Sequence, residues 1–312
     1  MGALSDNLFT LAILGHLTAV IAFAAAQVAP RRVTSPDRVI VPTAAAPAAG
    51  PTAEVSRRIT VGRAVGVGAV GAAAAAQAGS LIARAAAAGR VPWGNMYEFI
   101  VAVTLVGVIA WLVLAIQRPA LRPLGLYVAV CALVLLAAAG LHLYTPAGPL
   151  VPALQSVWLA VHVSAAAVAS GLFLIGFAAA VALLLRARYE RRGTPKSGDL
   201  RDTLAARLPA ATVWRRLSFR MHAVGFLVWS FAVMAGAVWA EAAWGRYWGW
   251  DPKETWAFIS WVVYAAYLHA NATASVRATT AAWVAVVGWA TMMFNLFAVN
   301  LVISGLHSYA GA

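Results

Sequence analysis

Eight apolar runs, each close to the twenty residues a helix needs to cross the hydrocarbon core of a bilayer, constrain this chain more than any other feature. They fall at roughly 8–28, 64–88, 96–117, 124–143, 157–185, 219–240, 253–270 and 281–304. Inside lipid every backbone polar group must be satisfied within the protein, so isolated runs of this length read as helices. With 62% hydrophobic and 11% charged residues over 312 positions, too little polar surface remains to coat a water-soluble globule. The expectation is an all-α polytopic membrane protein of about eight transmembrane helices. The fifth run exceeds one bilayer thickness and must tilt or project.

The formal charge of +13 invites a nucleic-acid partner, but the basic residues lie in the segments between runs. Segments 29–63, 118–123, 186–220 and 271–280 hold nineteen of the twenty-three Lys and Arg. By the positive-inside rule these segments face inward, which puts both termini outside and the protein in the cell membrane. No nucleic acid is needed to explain the charge. The opening MGALSDN lacks a basic n-region, so the first run reads as a retained helix rather than a cleaved signal. The single cysteine, Cys131, lies mid-run and permits no intrachain disulfide or CxxC pair.

Two units follow from this organisation. Residues 1–63 comprise the first helix and a basic inner loop whose stretch VPTAAAPAAGPTAEVSRR, residues 41–58, reads as extended. Residues 64–312 form the functional transmembrane domain, with an external loop at 241–252. The second long inner loop, RARYERRGTPKSGDLRDTLAARLPAATVWRR, is either a topology-setting solvated segment or a basic stretch lying on an anionic leaflet.

Chemistry concentrates on the outer face. Six of the thirteen tryptophans crowd into WAEAAWGRYWGWDPKETWAFISW, residues 239–261. Asp251, Pro252 and Glu254 make a capping box that opens the seventh helix, and its N-terminus favours an anion nearby. Trp244, Tyr247, Trp248 and Trp250, broken by Gly245 and Gly249, offer a platform for a flat apolar ligand; each alone also suits an interfacial anchor. His162 and His307 fall at the same level. Two imidazoles there could grip a haem iron from opposite sides, or each could be an ordinary interface residue. His269 lies about 24 Å deeper than Lys253 along the seventh helix, either a site in the membrane or a polar residue at the inner helix end. His222 is a possible neighbour, and His16 and His142 read as interhelical hydrogen-bonders. Glu98 and Glu241 either sit in headgroup water or orient a ligand histidine.

The stretch WAEAAWGRYWGWDPKETWAFISWVVYAAYLH resembles the tryptophan-rich WWD signature of haem-handling membrane proteins. DPKETW, the following YLH and the distant GLHSY look like the CcsA/ResC branch of the system II cytochrome c biogenesis proteins, called CcsB in some actinobacterial naming. NMYEF at 95–99 and WLAVHVS at 158–164 extend the resemblance over roughly residues 91–309. It implies that His162 and His307 ligate the iron of an external haem b, cradled by Trp244, Tyr247, Trp248, Trp250, Asp251 and Trp256. His269 would meet haem arriving from the cytoplasmic side. The implied function is that of a cytochrome c synthase subunit, which moves haem across the membrane and presents it to the Cys-x-x-Cys-His segment of apocytochrome c. A ResB-type membrane partner and a thioredoxin-like thiol reductant are the implied associates. Competing readings are a haem exporter that loads a chaperone, a membrane b-type electron carrier, and a transporter of inverted repeats. With each of the six histidines on a separate run or loop, the electron carrier, which commonly places two on one helix, is disfavoured.

Overall fold

A computed structural model describes residues 1–28, 53–149, 154–192 and 204–307. Among these the chain is helical, with no strand. The helices are α1 (Gly2–Val28), α2 (Ala53–Ala88), α3 (Met96–Gln117), α4 (Gly125–His142), α5 (Val157–Arg192), α6 (Ala211–Trp244), α7 (Pro252–Ala272) and α8 (Ala278–Met293). A short 3-10 turn, Pro119–Leu124, joins α3 to α4, and α8 continues through a π-helical segment, Phe294–Ala298.

Each apolar run expected from the sequence therefore becomes one helix, with revised ends. Helix α2 begins at Ala53 rather than 64, so residues 53–58 of the expected extended loop are helical; beyond Pro51 the sequence AEVSRR holds nothing that breaks a helix. Residues 41–52 of that loop lie outside the described residues. Helices α5 and α6 run past the apolar runs into the basic segment, where Arg186 pairs with Glu190 at 2.9 Å and Glu190 accepts from the Ala211 amide. At 36 residues, α5 spans about 54 Å, longer than the hydrocarbon core, which tilt or projection must accommodate. Residues 193–203, the middle of this second loop, are not described.

Among the described residues, seven helices are long and apolar enough to cross a membrane. Helix α7 has the length, 21 residues, but its hydropathy is lowered by Lys253, Glu254, His269 and Asn271. Its polar and aromatic groups bind it to α6: Trp261 donates to Ser230 at 2.8 Å, and Trp229 to the Ala257 carbonyl at 3.3 Å.

Helix α5 is the most buried, packed most extensively on α6 and also touching α3 and α8. Small residues (Ala166, Ala169, Ala178, Ala179) alternate there with Phe173, Leu174 and Ile175 in the apolar core. In a bilayer, where the solvent is as apolar as leucine, such close packing is what holds helices together. Helix α1 packs on α2 and α4; there His16 is buried and bonds Gln77 at 3.3 Å, as expected, whereas His142 is exposed at the end of α4.

One end of the bundle is tied by charge. Asn95 caps α3, accepting from the Glu98 amide at 2.9 Å. The fully buried Glu98 carboxylate receives Arg84 at 2.7 Å, Arg90 at 2.8 Å and the Gly94 amide at 2.7 Å. Both arginines reach on to the 143–149 loop, Arg84 to the Thr145 carbonyl and Arg90 to that of Gly148. Glu98 thus neither sits in water nor orients a histidine: it fixes the loop before α3. Removing one member of a buried ion network leaves an uncompensated charge. Glu98→Gln is expected to destabilise the protein by about 3 kcal/mol, read as a lowered midpoint of equilibrium unfolding in detergent; an unshifted midpoint would show the network to be dispensable.

Candidate functional site at the tryptophan-rich loop

The loop after α6 is shaped by its backbone. Gly245 closes α6 in the left-handed conformation, φ 71°, with its amide bonded to the Glu241 carbonyl, the usual work of glycine at a helix C-terminus. Trp250 is a second left-handed residue, φ 57°, a conformation that costs a bulky side chain energy. What holds it is the capping box that follows. Glu254 accepts from the Gly249 amide at 2.8 Å and the Asp251 amide at 3.1 Å, bracketing Trp250. Asp251 in turn accepts from the Lys253 amide at 3.1 Å.

Asp251 does more than cap. Its carboxylate accepts from the Leu306 amide at 2.6 Å and from His307 Nδ1 at 2.9 Å, fastening the segment after α8 to the start of α7. Burial pushes this carboxyl up, but the hydrogen bonds from His307, Leu306 and Lys253 outweigh it and hold it below the usual range.

Between α5, α6, α7 and the π-helical segment lies a cleft of about 1080 Å³, counted out to its open mouth. His162 and His307 both line it, with Trp239, Tyr247, Trp248 and Trp93. Trp239 is buried beside both histidines, its ring stacked 6.1 Å from His162 and edge-on 5.8 Å from His307. His162 donates from Nδ1 to the Ala232 carbonyl at 2.7 Å. Its ring fits only because Gly236 faces it: a Cβ there would stand 2.7 Å from the imidazole. With each Nδ1 bound to an acceptor, the neutral form of either imidazole has its lone pair on Nε2, the tautomer a metal requires.

Among the described residues, no group of three or more His, Cys, Asp or Glu converges to hold a bare metal ion. Two such imidazoles in a cleft with aromatic walls are the donor type that would hold a haem iron, the porphyrin supplying its other nitrogens. The donor set therefore fits that group.

The remaining sequence candidates divide. Trp244 packs against His307 at 5.0 Å and Trp239 at 4.8 Å, supporting the cleft from behind. Trp250 is exposed outside it, edge-on to Trp248. Trp256 packs at a tilt on Phe294, ring centroids 4.0 Å apart, at the start of the π-helical segment. His269 is exposed on the last turn of α7, whereas His222 is buried against Tyr267 at 4.5 Å. Glu241 is exposed; the carboxylate that orients a histidine is Asp251. Sequence reasoning passed over Trp239, Trp93, Lys253 and Asn295 as cleft residues. Trp239 and Lys253 stand inside the quoted tryptophan-rich stretch and Trp93 two residues before NMYEF, while a π-helical turn, frequent at functional sites, leaves no sequence signature around Asn295.

Asp251→Ala is expected to cost about 1–2 kcal/mol through the lost cap. The depressed carboxyl contributes stability in full above its unperturbed 3.8, and that contribution is lost as the pH falls through the lower folded value. Thermal unfolding followed from about pH 5 to pH 2.5 should show wild type and variant converging; a constant gap would refute the linkage.

Comparison with known proteins identifies the family. The sequence profile of the family described as cytochrome C assembly protein matches residues 93–307. The chain is 32% identical over 305 residues to the cytochrome c biogenesis protein CcsA of Gloeobacter violaceus, covering 81% of this chain and 88% of the relative. It is 42% identical over 178 residues to CcsA of Parasynechococcus marenigrum, covering 52% and 58%. To CcsA of Chlamydomonas reinhardtii it is 36% identical over 234 residues, covering 73% and 64%. The chain thus spans about three fifths of the length of those last two relatives. Among solved structures, the cytochrome c haem lyase CcmF superposes with a TM-score of 0.62 at 17% identity, over 95% of this chain and 46% of that one, a likeness of fold. The match of the whole 93–307 segment, together with a relative aligned over 88% of its length, makes this chain a multi-pass membrane protein of the cytochrome c assembly family, of the CcsA type.

Proposed function

We propose that this chain is the membrane subunit of a system II cytochrome c synthase, and that its cleft holds haem b for attachment to apocytochrome c. The observation that carries the reading is the pair His162 and His307: both line one aromatic cleft, and both are pinned at Nδ1, by Ala232 and Asp251 respectively. A haem bound there supplies two vinyl groups, to which the thiols of a Cys-x-x-Cys-His segment add.

This chain's own residues bind, orient and shield. Trp239, Trp248 and Tyr247 give apolar and aromatic faces to a planar ligand. His162 is fixed in the bundle, while His307 follows α8 on a segment held through Asp251. His307 is therefore the ligand more readily exchanged for the histidine of an incoming apocytochrome, which would loosen the product for release. Each thiol S–H adds across a vinyl C=C, sulfur to one carbon and hydrogen to the other. No group of this chain acts as nucleophile or oxidant.

The partners in this reading are a ResB-type membrane protein, apocytochrome c and a thioredoxin-like reductant that keeps the substrate thiols reduced. The cleft opens on the extracytoplasmic face of the cell membrane, in keeping with the basic segments gathered at the opposite end. In this reading His269, about 24 Å away along α7 and exposed, would meet haem arriving from the cytoplasmic side, with a second ligand from the ResB-type protein.

His162→Gly or His307→Gly should lose the bis-histidine haem spectrum, and added imidazole should restore much of it; unchanged spectra in both would refute the ligand assignment. The chain reconstituted with its ResB-type partner, haem and reduced apocytochrome should yield covalent cytochrome c. Release of free haem without thioether formation would favour export instead.

A further inference from the structure

Lys253 stands inside the capping box that opens α7, and the preceding mechanism gives it no role. It occupies the first turn of α7 and lines the cleft with both histidines. Its ammonium donates to the Asn300 side-chain carbonyl at 2.8 Å and approaches the Met96 sulfur at 3.4 Å. Both acceptors are neutral, and a thioether is a weak one. Asn300 is held for this contact by its own donation to the Leu296 carbonyl at 2.6 Å.

The carboxylates at this end of the bundle are bonded elsewhere. Asp251 accepts from His307 and the amides of Leu306 and Lys253; Glu254 accepts from the amides of Gly249 and Asp251; Glu98 is held by Arg84 and Arg90. Among the described residues, none of them makes a salt bridge with the Lys253 ammonium. A cation on the wall of a largely aromatic cleft, with three donors and only neutral acceptors, has capacity for a charged partner. Burying it without one is costly, so a ligand that brings its own carboxylate recovers that cost on binding.

We propose that the Lys253 ammonium is the carboxylate-recognition point of the cleft, so that the site selects a planar ligand with an acidic edge. The inference rests on the haem reading above, in which the acidic edge is a propionate. It adds an orientation: fixing a propionate at Lys253 turns the vinyl groups, which lie on other edges of the macrocycle, away from the start of α7. Asn300 and Met96 then hold the lysine in place rather than neutralise it.

The test uses the purified full-length chain in detergent, titrated with haem and with haem dimethyl ester, whose axial chemistry is the same and whose carboxylates are masked. A charge-assisted hydrogen bond in a cleft corresponds to roughly tenfold or more in affinity. Wild type should therefore bind haem at least about tenfold more tightly than the ester, read from the absorption band of the ligated iron. In Lys253→Met the two affinities should converge to within about twofold, and Lys253→Arg should recover part of the preference. Equal affinities in wild type, or a preference that survives in Lys253→Met, would overturn the assignment. The first of these needs no variant, so poor folding of Lys253→Met does not rescue the proposal. A bis-histidine spectrum without any preference would sink only the role of Lys253, whereas no ligated spectrum with either porphyrin would sink the haem reading and this inference with it.

Discussion

The carboxylate of Asp251 is the junction on which the site depends. It terminates one backbone, by capping α7, and captures another, by accepting from Leu306 and His307 fifty-five and fifty-six residues later. Each bond alone is a modest interaction in water, but around a buried anion they support one another, because leaving any of them unmade strands a desolvated charge. The same carboxylate sets the His307 tautomer.

Around that junction the bundle keeps two kinds of order apart. Within the span of the helices, packing is apolar and close, with alanines on α5 admitting their neighbours and Phe173 stacked on Tyr264 at 3.9 Å. At the site end, cohesion is ionic: Glu98 with Arg84 and Arg90 binds the loops before α3 and after α4, and Asp251 and Glu254 bind the tryptophan loop. The division is physical. Lipid gives helices no hydrophobic incentive to pair, so shape must serve, whereas loops at the surface can use charges wherever burial is shared among several donors.

Aromatic crowding, read simply as a platform, resolves into separate tasks. Trp239 packs beside both histidines, Tyr247 and Trp248 line the cleft, Trp244 backs His307, Trp256 packs on the π-helical segment, and Trp250 is turned outward by its left-handed backbone. In the proposed role, a rigid wall beside each ligand serves orientation better than a continuous plate, since a planar cargo must remain accessible along one edge to react.

Much of this was legible in one dimension. Apolar runs located each helix because a bilayer demands twenty residues of uniform character, and DPKE announced the start of α7 because capping is a local reaction of four neighbouring residues. Helix ends were less legible: nothing in AEVSRR or RARYERR tells a helix to stop where the lipid does. The sequence by itself determined a polytopic helical protein, the position of the tryptophan loop, and the pair His162 and His307 as residues at one level. Only the tertiary structure decided that Trp239 packs beside both of them, that Asp251 rather than Glu98 or Glu241 holds His307, and that Lys253 faces the cleft. Those facts depend on which residues distant in sequence become neighbours, and that is settled by packing and by the pairing of buried charges, for which a linear pattern carries no signal.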